Sequence, residues 1–358
     1  MINTIALDRI GRETMKRKRV SVWIKFILII LIVAFGIVIA SVGYAWSKLD
    51  KINKAEEVEK IEPEEEYFEP DEEEKGYEEV NPEDVTWSSS EEVFGDDNVL
   101  NLLLIGQDRR PGEGRARSDS MMIMTINKTD KTIKLTSLMR DLYVQIPGYS
   151  DNRINAAYAF GGMELLDATI KQNFDINLDG NIEVDFSGFQ KVIDTIGGIE
   201  LDIHEDEIKV LNDYVRELDK MSGESENANI VTQAGVQHLN GLQALAYSRI
   251  RYVGNGDFGR TERQRKVLMA AFDKVKNSGL NEMLKLADTI FPLLTTDMSN
   301  SDLIGVGVEV LGMGVSEIET HNIPEDASFR YASIRGMSVL VPDIDKCRQV
   351  LRQVIYGE

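Results

Sequence analysis

The chain has 358 residues, a formal net charge of −21 and a single cysteine, Cys347. One cysteine excludes an intrachain disulfide, so the folded part must be stabilised by its hydrophobic core alone. A chain this acidic is a poor general binder of nucleic acid, and it contains no nucleic-acid-binding module, zinc motif or Ser-His-Asp order.

The first predicted element is a membrane-spanning helix at residues 26–46, FILIILIVAFGIVIASVGYAW. This run is uncharged and long enough to cross a hydrocarbon core of about 30 Å. Residues 1–25 contain seven Lys and Arg, and such flanks stay on the cytoplasmic side. We therefore expect a cytoplasmic tail at 1–25, one anchor in the cell membrane, and everything after it outside the cytoplasm. A cleaved signal peptide is the alternative, but its apolar core would be only about 7 to 15 residues.

An acidic segment follows the predicted anchor. Residues 56–97 contain twenty Asp and Glu against two Lys. Strong self-repulsion and few apolar residues favour disorder, so residues 47–97 are predicted to form an extended, disordered linker. A role in attracting divalent cations or repelling an anionic polymer is the alternative.

The remaining residues, 98–358, are enough for one large extracytoplasmic domain. Apolar runs bounded by turn residues predict strands, and 3.6-residue spacing predicts helices. Their alternation indicates an α/β fold, with a mixed central sheet flanked by helices. Strands are expected at 99–106, 121–127, 132–138, 182–186 and 199–203, and helices at 154–174, 187–198, 241–250 and 260–278, with further helices around one or two strands at the C-terminus.

The loop QDRRPGEGRARSDS, residues 107–120, directly follows the first predicted strand. Loops at strand ends are where ligands usually bind in α/β folds. Asp108 and Asp119 could converge on one hard cation such as Mg²⁺, which keeps waters and shares phosphate oxygens. No GK[ST] follows, so this is not a Walker loop. A solvated polar loop is the competing interpretation.

Arginine is concentrated at residues 249–265, RIRYVGNGDFGRTERQR, which contain five arginines. Guanidinium groups suit phosphate and carboxylate oxygens, so the segment indicates an anion site. Arg260 and Gln264 would share one face of a helix. Arg249 and Arg251 would align only on extended backbone. The alternative is a basic surface helix, just as Arg140–Asp141 alone would be a structural ion pair.

Six ordered blocks resemble the LytR-CpsA-Psr (LCP) family of the bacterial cell envelope. They are LLLIGQDRRPGEGRARSDSMMIMTIN, SLMRDLYVQIPG, RINAAYAFGG, VDFSGFQKVIDTIGGIELDI, GVQHLNGLQALAYSRIRY and DFGRTERQR, between Val99 and Val275. Two positions depart from the family pattern: Met139 replaces the usual proline, and Ser120 replaces the commoner threonine.

The resemblance implies a phosphotransferase that moves an anionic glycopolymer, such as teichoic acid or capsule, from an undecaprenyl-pyrophosphate carrier to peptidoglycan and releases polyprenyl phosphate. It implies a lipid cavity between sheet and helices, with residues 154–170 and 267–275 as candidate walls. It also implies Mg²⁺ as cofactor. By the resemblance, Asp108 and Asp119 are the Mg²⁺-associated carboxylates, Asp108, Asp119 and Arg140 are catalytic, and the pyrophosphate is bound by Arg117, Arg140, Arg249, Arg251, Arg260 and Gln264.

Some roles stay open at this point. Asp108 and Asp119 could each be a metal ligand or the general base. Arg263 and Arg265 are expected to be supporting or surface charges, and His204, His238 and His321 to be structural or exposed, because they lack metal-ligand spacing. Two further functions compete: hydrolysis of the polyprenyl pyrophosphate, and a non-catalytic regulator that binds polyprenyl phosphates.

Overall fold

The computed structural model describes residues 44, 46–56, 58–71, 75–89, 93–107, 117–276, 286–314 and 318–357. Residues 1–47 and 48–358 form separate units, and only Tyr44, Trp46 and Ser47 are described in the first. The predicted anchor at 26–46 and tail at 1–25 therefore lie almost wholly outside the described residues. Within the described part, no helix has both the length and the apolar character needed to span a membrane.

The second unit is an α/β domain with a mixed sheet, as the sequence predicts. The described strands are β1 (Asn53–Lys54), β2 (Val99–Gln107), β3 (Ser118–Asn127), β4 (Thr132–Leu138), β5 (Tyr143–Val144), β6 (Asn152–Arg153), β7 (Gly180–Asp185), β8 (Ile199–Ile203), β9 (Gly235–Leu239), β10 (Leu294–Thr296), β11 (Ile318–Ile323), β12 (Phe329–Ile334) and β13 (Met337–Pro342). Seven of them form the main sheet in the order β1-β10-β7-β2-β3-β4-β11, and the pairs β5-β6, β8-β9 and β12-β13 are separate from it. The helices are α1 (Ile154–Phe174), α2 (Phe186–Thr195), α3 (Ile208–Ser222), α4 (Gly241–Ser248), α5 (Gly256–Lys276), α6 (Asn300–Met313) and α7 (Ile344–Tyr356).

Strand pairing is both parallel and antiparallel. β2 runs parallel to β7 and antiparallel to β3, while β4 is antiparallel to β3 and parallel to β11. In the described part the chain after residue 286 adds four strands, β10 to β13, rather than the one or two expected. These strands are short, with three residues in β10 and six in each of the others, and short strands carry a weak sequence signal.

Both faces of the sheet are covered. One face packs on α1 and α7 through a core that includes Leu103, Ile123 and Phe160. The opposite face packs on α6 around Leu102, Ile126 and Met298. A further apolar cluster holds α2, α3, α4 and α5 together with β8 and β9. This layering leaves a space between the sheet and α2, α4 and α5.

The backbones of α2 and α4, two of the helices that border this space, approach each other closely. A Cβ atom at Gly241, the first residue of α4, would lie 2.1 Å from the carbonyl oxygen of Gln190 in α2. Only glycine lets the two backbones meet so closely. Asn240 caps α4, since its side chain accepts from the Gln243 N–H at 2.9 Å. The start of α4 is therefore fixed against α2.

The acidic segment differs from the predicted disordered linker. Its described parts lie on the domain: Val80 and Val85 are buried with β12 and β13, and Trp87 donates from Nε1 to Asp151 Oδ2 at 2.7 Å. Glu66 accepts from the backbone and hydroxyl of Ser150 at 2.8 and 2.6 Å. The average composition of the segment does not show this packing, because only its few apolar side chains, such as Val80 and Val85, enter a core cluster.

Candidate functional site

The site lies where β3 begins and the neighbouring strand β4 ends. β3 and β4 are antiparallel, with Met121 opposite Leu138, so the first residues of β3 lie beside the residues that follow β4. Asp119 and Arg140 meet there, with Nη1 of Arg140 2.5 Å from Oδ1 of Asp119. Strand pattern alone therefore brings together two of the predicted site residues.

Arg140 is held by a second carboxylate. Its Nε lies 3.5 Å from Oδ2 of Asp141. Burial alone would lower the pKa of Arg140, but Asp141 and Asp119 outweigh burial and raise it. Burial likewise opposes ionisation of Asp141, yet Arg140 and Arg153 lower its pKa. Both groups are therefore charged at neutral pH.

The arginine-rich segment reaches the same place from α4 and α5. Arg249 ends α4 and lies over the rings of Tyr214 and Phe186, with centroid distances of 5.2 and 5.5 Å. Arg251 lies on the connection to α5, and its Nε is 3.5 Å from Oδ1 of Asp257. Three of the predicted arginines, counting Arg140, thus surround one polar end of the space.

Arg260 is the least compensated of these cations. Its side chain is 4% exposed and its Nη2 lies 3.1 Å from Oδ1 of Asp257, but neither Nε nor Nη2 of Arg260 makes a hydrogen bond. Burial, together with Arg140 and Arg251, lowers the pKa of Arg260 to about 10. Buried donors without partners are costly, so the arrangement favours an incoming anion.

These residues form one end of a pocket of about 590 Å³. The polar end is lined by Asp119, Ser120, Arg140, Ser248, Arg249, Arg251, Arg260 and Gln264. The rest is apolar and runs between the sheet and α2, α4 and α5, lined by side chains that include Leu104, Met122, Ile182, Val184, Phe189, Val192, Leu268 and Ala271. Its polarity matches an amphiphile with an anionic head.

Of the two predicted cavity walls, one lines the pocket and the other packs in a hydrophobic core. Val267, Leu268 and Ala271, from the predicted wall 267–275, line the pocket. Residues of the other predicted wall, 154–170, belong to α1 and pack in the core on the opposite face of the sheet. An apolar helix face does not show which side of a sheet it covers, so sequence could not separate these two roles.

Arg117 is the predicted site residue that departs most from expectation. It is not among the described residues that line the pocket. Instead its Nε lies 3.1 Å from Oε2 of Glu69, its guanidinium lies 5.2 Å from the ring centroid of Tyr67, and its Nη1 donates to Oδ1 of Asn155 at 3.3 Å. Asp108, the remaining predicted residue, lies outside the described residues.

Arg263 and Arg265 are buried supports. Nε of Arg263 donates to Oε1 of Glu207 at 2.7 Å, and its other nitrogens reach the carbonyls of Ile250 and Val253. Arg265 donates to the hydroxyl of Ser137 at 2.9 Å and to Asn322. Neither residue lines the pocket. They fix α5, which presents Arg260 and Gln264.

Sequence reasoning missed Asp257, the carboxylate shared by Arg251 and Arg260. Its position three residues before Arg260 on one helix is a recognisable ion-pair spacing and could have indicated it. Among the described residues, no group of three or more His, Cys, Asp or Glu is arranged to hold a metal ion by itself.

Comparison of the sequence with known proteins assigns the chain to a family. The class defined by fold and site is an α/β domain with a basic-ended apolar pocket. The sequence model of the LytR_cpsA_psr family matches residues 54–355, and the chain belongs to that family. The match begins at residue 54, within residues 47–97, which the sequence predicted to be a linker.

Individual relatives carry two kinds of name. Regulatory protein MsrR of Staphylococcus aureus (strain COL) is 30% identical over 236 residues, which are 65% of this chain and 67% of MsrR. Polyisoprenyl-teichoic acid--peptidoglycan teichoic acid transferase TagT of Bacillus subtilis is 29% identical over 309 residues, 84% of this chain and 85% of TagT.

Solved structures of TagT are similar in fold. TagT bound to LI-WTA has a TM-score of 0.59 and 27% identity, covering 75% of this chain and 96% of that one. TagT with bound octaprenyl pyrophosphate lipid has a TM-score of 0.55 and 25% identity, with the same coverage.

Proposed function

We propose that the protein transfers an anionic glycopolymer from an undecaprenyl-pyrophosphate carrier to peptidoglycan. The observation that carries this proposal is the pocket, in which four arginines surround one end of an apolar channel. A polyprenyl chain suits the channel and a pyrophosphate suits the arginines. TagT, a relative, is named as a teichoic acid transferase, and its structure with octaprenyl pyrophosphate supports the same ligand class.

The proposed reaction is a phosphoryl transfer. A hydroxyl oxygen of the glycan acceptor attacks the phosphorus next to the sugar, a phosphodiester bond forms, and the bond to the departing polyprenyl phosphate breaks. Such transfers need positioning and neutralisation of phosphate charge more than covalent chemistry. Arg140, Arg251 and Arg260 supply fixed positive charge at the polar end of the pocket.

Asp119 is our candidate to receive the acceptor's proton or to hold a metal ion. Its side chain is 26% exposed and lines the pocket, so it is accessible to both. One carboxylate fits Mg²⁺, which is commonly bound through one or two carboxylates plus substrate phosphate oxygens. Mg²⁺ bound there would neutralise charge on the pyrophosphate, and Asp108 would be the second carboxylate.

The proposed location is the outer face of the cell membrane, with residues 26–46 as the single anchor and residues 1–25 in the cytoplasm. This proposal rests on the apolar run and its basic flank. An anchored domain would meet a carrier lipid that resides in the same bilayer.

A product assay tests the function. The full-length chain in detergent would receive a polyprenyl-pyrophosphate-linked sugar, Mg²⁺ and peptidoglycan oligomers. We expect polyprenyl phosphate together with a glycan-linked product, and a large loss of both with Arg140→Ala. Free sugar phosphate with or without acceptor would instead indicate a hydrolase. Tight lipid binding without turnover would indicate a regulator, as the name of MsrR suggests for that relative.

A further inference from the structure

Four aromatic side chains form a continuous row outside the pocket. Phe258 of α5 stacks on Phe329 of β12, with ring centroids 5.4 Å apart and an angle of 28° between the ring planes. Phe329 meets Tyr331 edge to face at 5.2 Å, and Tyr331 stacks on Tyr77 at 4.9 Å. Three separate parts of the chain, α5, β12 and the acidic segment, therefore contribute to this aromatic row.

The aromatic row is half-buried at one end and exposed toward the other. Phe258 and Phe329 pack against the core that contains Phe160, so hydrophobic packing accounts for these two inner rings. Tyr331 is 47% exposed. Large, rigid aromatic side chains that remain exposed are typical of recognition surfaces. The outer part of the row is therefore a candidate binding surface.

The backbone of the acidic segment fixes Tyr77 beside Tyr331. The Ser333 N–H donates to the carbonyl oxygen of Glu78 at 2.8 Å, and the Val80 N–H donates to the carbonyl oxygen of Ser333 at 2.9 Å. The segment thus runs along β12, next to the strand that carries Tyr331. Because the two tyrosine rings are already ordered, a ligand would not have to order them on binding.

Asp257 connects the aromatic row to the polar end of the pocket. It lies in the first turn of α5, and its Oδ1 is 3.1 Å from Nη2 of Arg260 and 3.5 Å from Nε of Arg251. Burial raises the pKa of Tyr331, and nearby groups that include Asp257 raise it further. The same carboxylate therefore lies close both to the arginines of the pocket and to the outer part of the row.

The surroundings of the outer rings are acidic. Besides burial, Asp326 helps to raise the pKa of Tyr331, and the exposed residues Glu78 and Glu79 directly follow Tyr77. This negative charge repels an anionic polymer. It suits an uncharged sugar, whose C–H groups can pack on aromatic rings and whose hydroxyl groups can donate to carboxylates.

We propose that the aromatic row binds the sugar rings of the acceptor glycan, with Tyr331, stacked on Tyr77, as the main contact. The ligand class is a strand of N-acetylated hexosamines, and binding there would hold the strand beside the polar end of the pocket. The inference rests on the proposed function for the identity of the acceptor. It assigns the two substrates to different surfaces: the carrier pyrophosphate to the pocket, and the glycan to the aromatic row.

The decisive variant is Tyr331→Leu, which removes the ring and keeps an apolar side chain, while Tyr331→Phe keeps the ring. The matched control is Tyr67→Leu, because Tyr67 is a tyrosine of the acidic segment that is 40% exposed and packs on Phe160 instead of on the row. Full-length chains in detergent would be titrated calorimetrically with an N-acetylglucosamine tetramer, with geranyl pyrophosphate and with an oligo(glycerol phosphate). Thermal unfolding would confirm that each variant is folded, and Tyr77→Leu would replace Tyr331→Leu if the latter were unfolded.

We expect Tyr331→Leu to bind the sugar tetramer about fivefold more weakly, as the loss of one aromatic contact implies. Tyr331→Phe and Tyr67→Leu should bind it as the unmodified chain does. Geranyl pyrophosphate and the oligo(glycerol phosphate) should bind all four chains alike. In the transfer assay, Tyr331→Leu should raise the KM for the glycan acceptor and leave kcat unchanged, which a merely structural role of the ring would not produce.

Three results would overturn the assignment: equal affinity of Tyr331→Leu and the unmodified chain for the tetramer, an equal loss in Tyr67→Leu, or an equal loss for geranyl pyrophosphate. A loss confined to the oligo(glycerol phosphate) would assign the aromatic row to the donor polymer and would also contradict the proposal. If the proposed transfer fails while the expected binding pattern holds, the glycan site stands and the catalytic function does not.

Discussion

Nη1 of Arg140 lies 2.5 Å from Oδ1 of Asp119, and this ion pair joins the residues after β4 to the start of β3 at the polar end of the pocket. Asp141 and Asp119 raise the pKa of Arg140 despite its burial, so Arg140 keeps its charge throughout the working pH range. The pair places a fixed cation and a carboxylate side by side where a phosphate would react.

Asp119→Asn preserves the size of the side chain and removes its charge. If Asp119 accepts the acceptor's proton or holds Mg²⁺, we expect the transfer rate to fall at least about 100-fold. The measurement is release of polyprenyl phosphate under saturating substrate. Asp213→Asn is the control, since Asp213 is an exposed residue of α3. A rate in Asp119→Asn close to that of the control would remove Asp119 from the reaction.

Arg260→Gln should increase the stability of the domain and weaken its binding of pyrophosphate. The pKa of Arg260 is lowered to about 10 by burial and by Arg140 and Arg251, so its protonated form costs folding free energy at every pH below about 10, and the cost disappears at higher pH. We expect the variant to be about 1 to 2 kcal/mol more stable at pH 7.5. It should also lose most of its affinity for geranyl pyrophosphate.

Thermal unfolding and calorimetry measure both effects of Arg260→Gln, with Arg330→Gln on the exposed side of β12 as control. The stability difference from the unmodified chain should shrink as the pH rises above about 10. Lower stability at pH 7.5, combined with undiminished binding, would show that Arg260 is structural.

Ala271→Trp tests the apolar channel. Ala271 lines the pocket from α5, on the same helix as Arg260 and Gln264, so a large side chain there should occupy space proposed for the prenyl tail. We expect weaker binding of long prenyl pyrophosphates by about tenfold or more, since each buried CH₂ contributes about 0.8 kcal/mol. Inorganic pyrophosphate, which has no tail, serves as the control ligand and should bind as before. Unchanged binding of the long prenyl pyrophosphates would place the tail elsewhere.

Local pattern was sufficient for much of the fold and part of the site. The expected strand at 132–138 and helix at 154–174 have those bounds in the structure, although the backbone of the helix is non-helical at Gly161 and Gly162. Arg140 and Asp119 could also be paired, since a short turn between predicted strands makes their ends neighbours.

Long-range partners could not be predicted in this way. Arg263 lies on the same helix as Arg260, and its buried role depends on Glu207, 56 positions away in the sequence. Arg117 likewise pairs with Glu69, which belongs to a segment whose composition predicted disorder. The charge of a guanidinium group predicts that it will pair with an anion, but the tertiary fold determines which anion.

Asp167 gives the domain a pH-dependent stability outside the pocket. Nδ2 of Asn181 in β7 donates to Oδ2 of Asp167 in α1 at 2.8 Å and to Oδ2 of Asp297 at 2.6 Å. Burial raises the pKa of Asp167 to about 7, against the hydrogen bond from Asn181 and with a further contribution from Asp297. A carboxyl whose pKa is raised by folding stabilises the fold while protonated, and this contribution is lost as the pH rises from about 4 through about 7.

Asp167→Asn removes that titration and keeps an acceptor for Asn181. We expect the variant to be about 2 kcal/mol more stable than the unmodified chain at pH 8, and the difference to shrink toward pH 5. Thermal unfolding of both chains between pH 5 and pH 8 measures it, with Asp213→Asn again as the exposed control. Because other groups titrate in the same range, the informative quantity is the difference between the two chains at each pH. A difference that stays constant from pH 5 to pH 8 would show that Asp167 is already ionised throughout, and that the shared amide of Asn181 offsets the cost of burying both carboxylates.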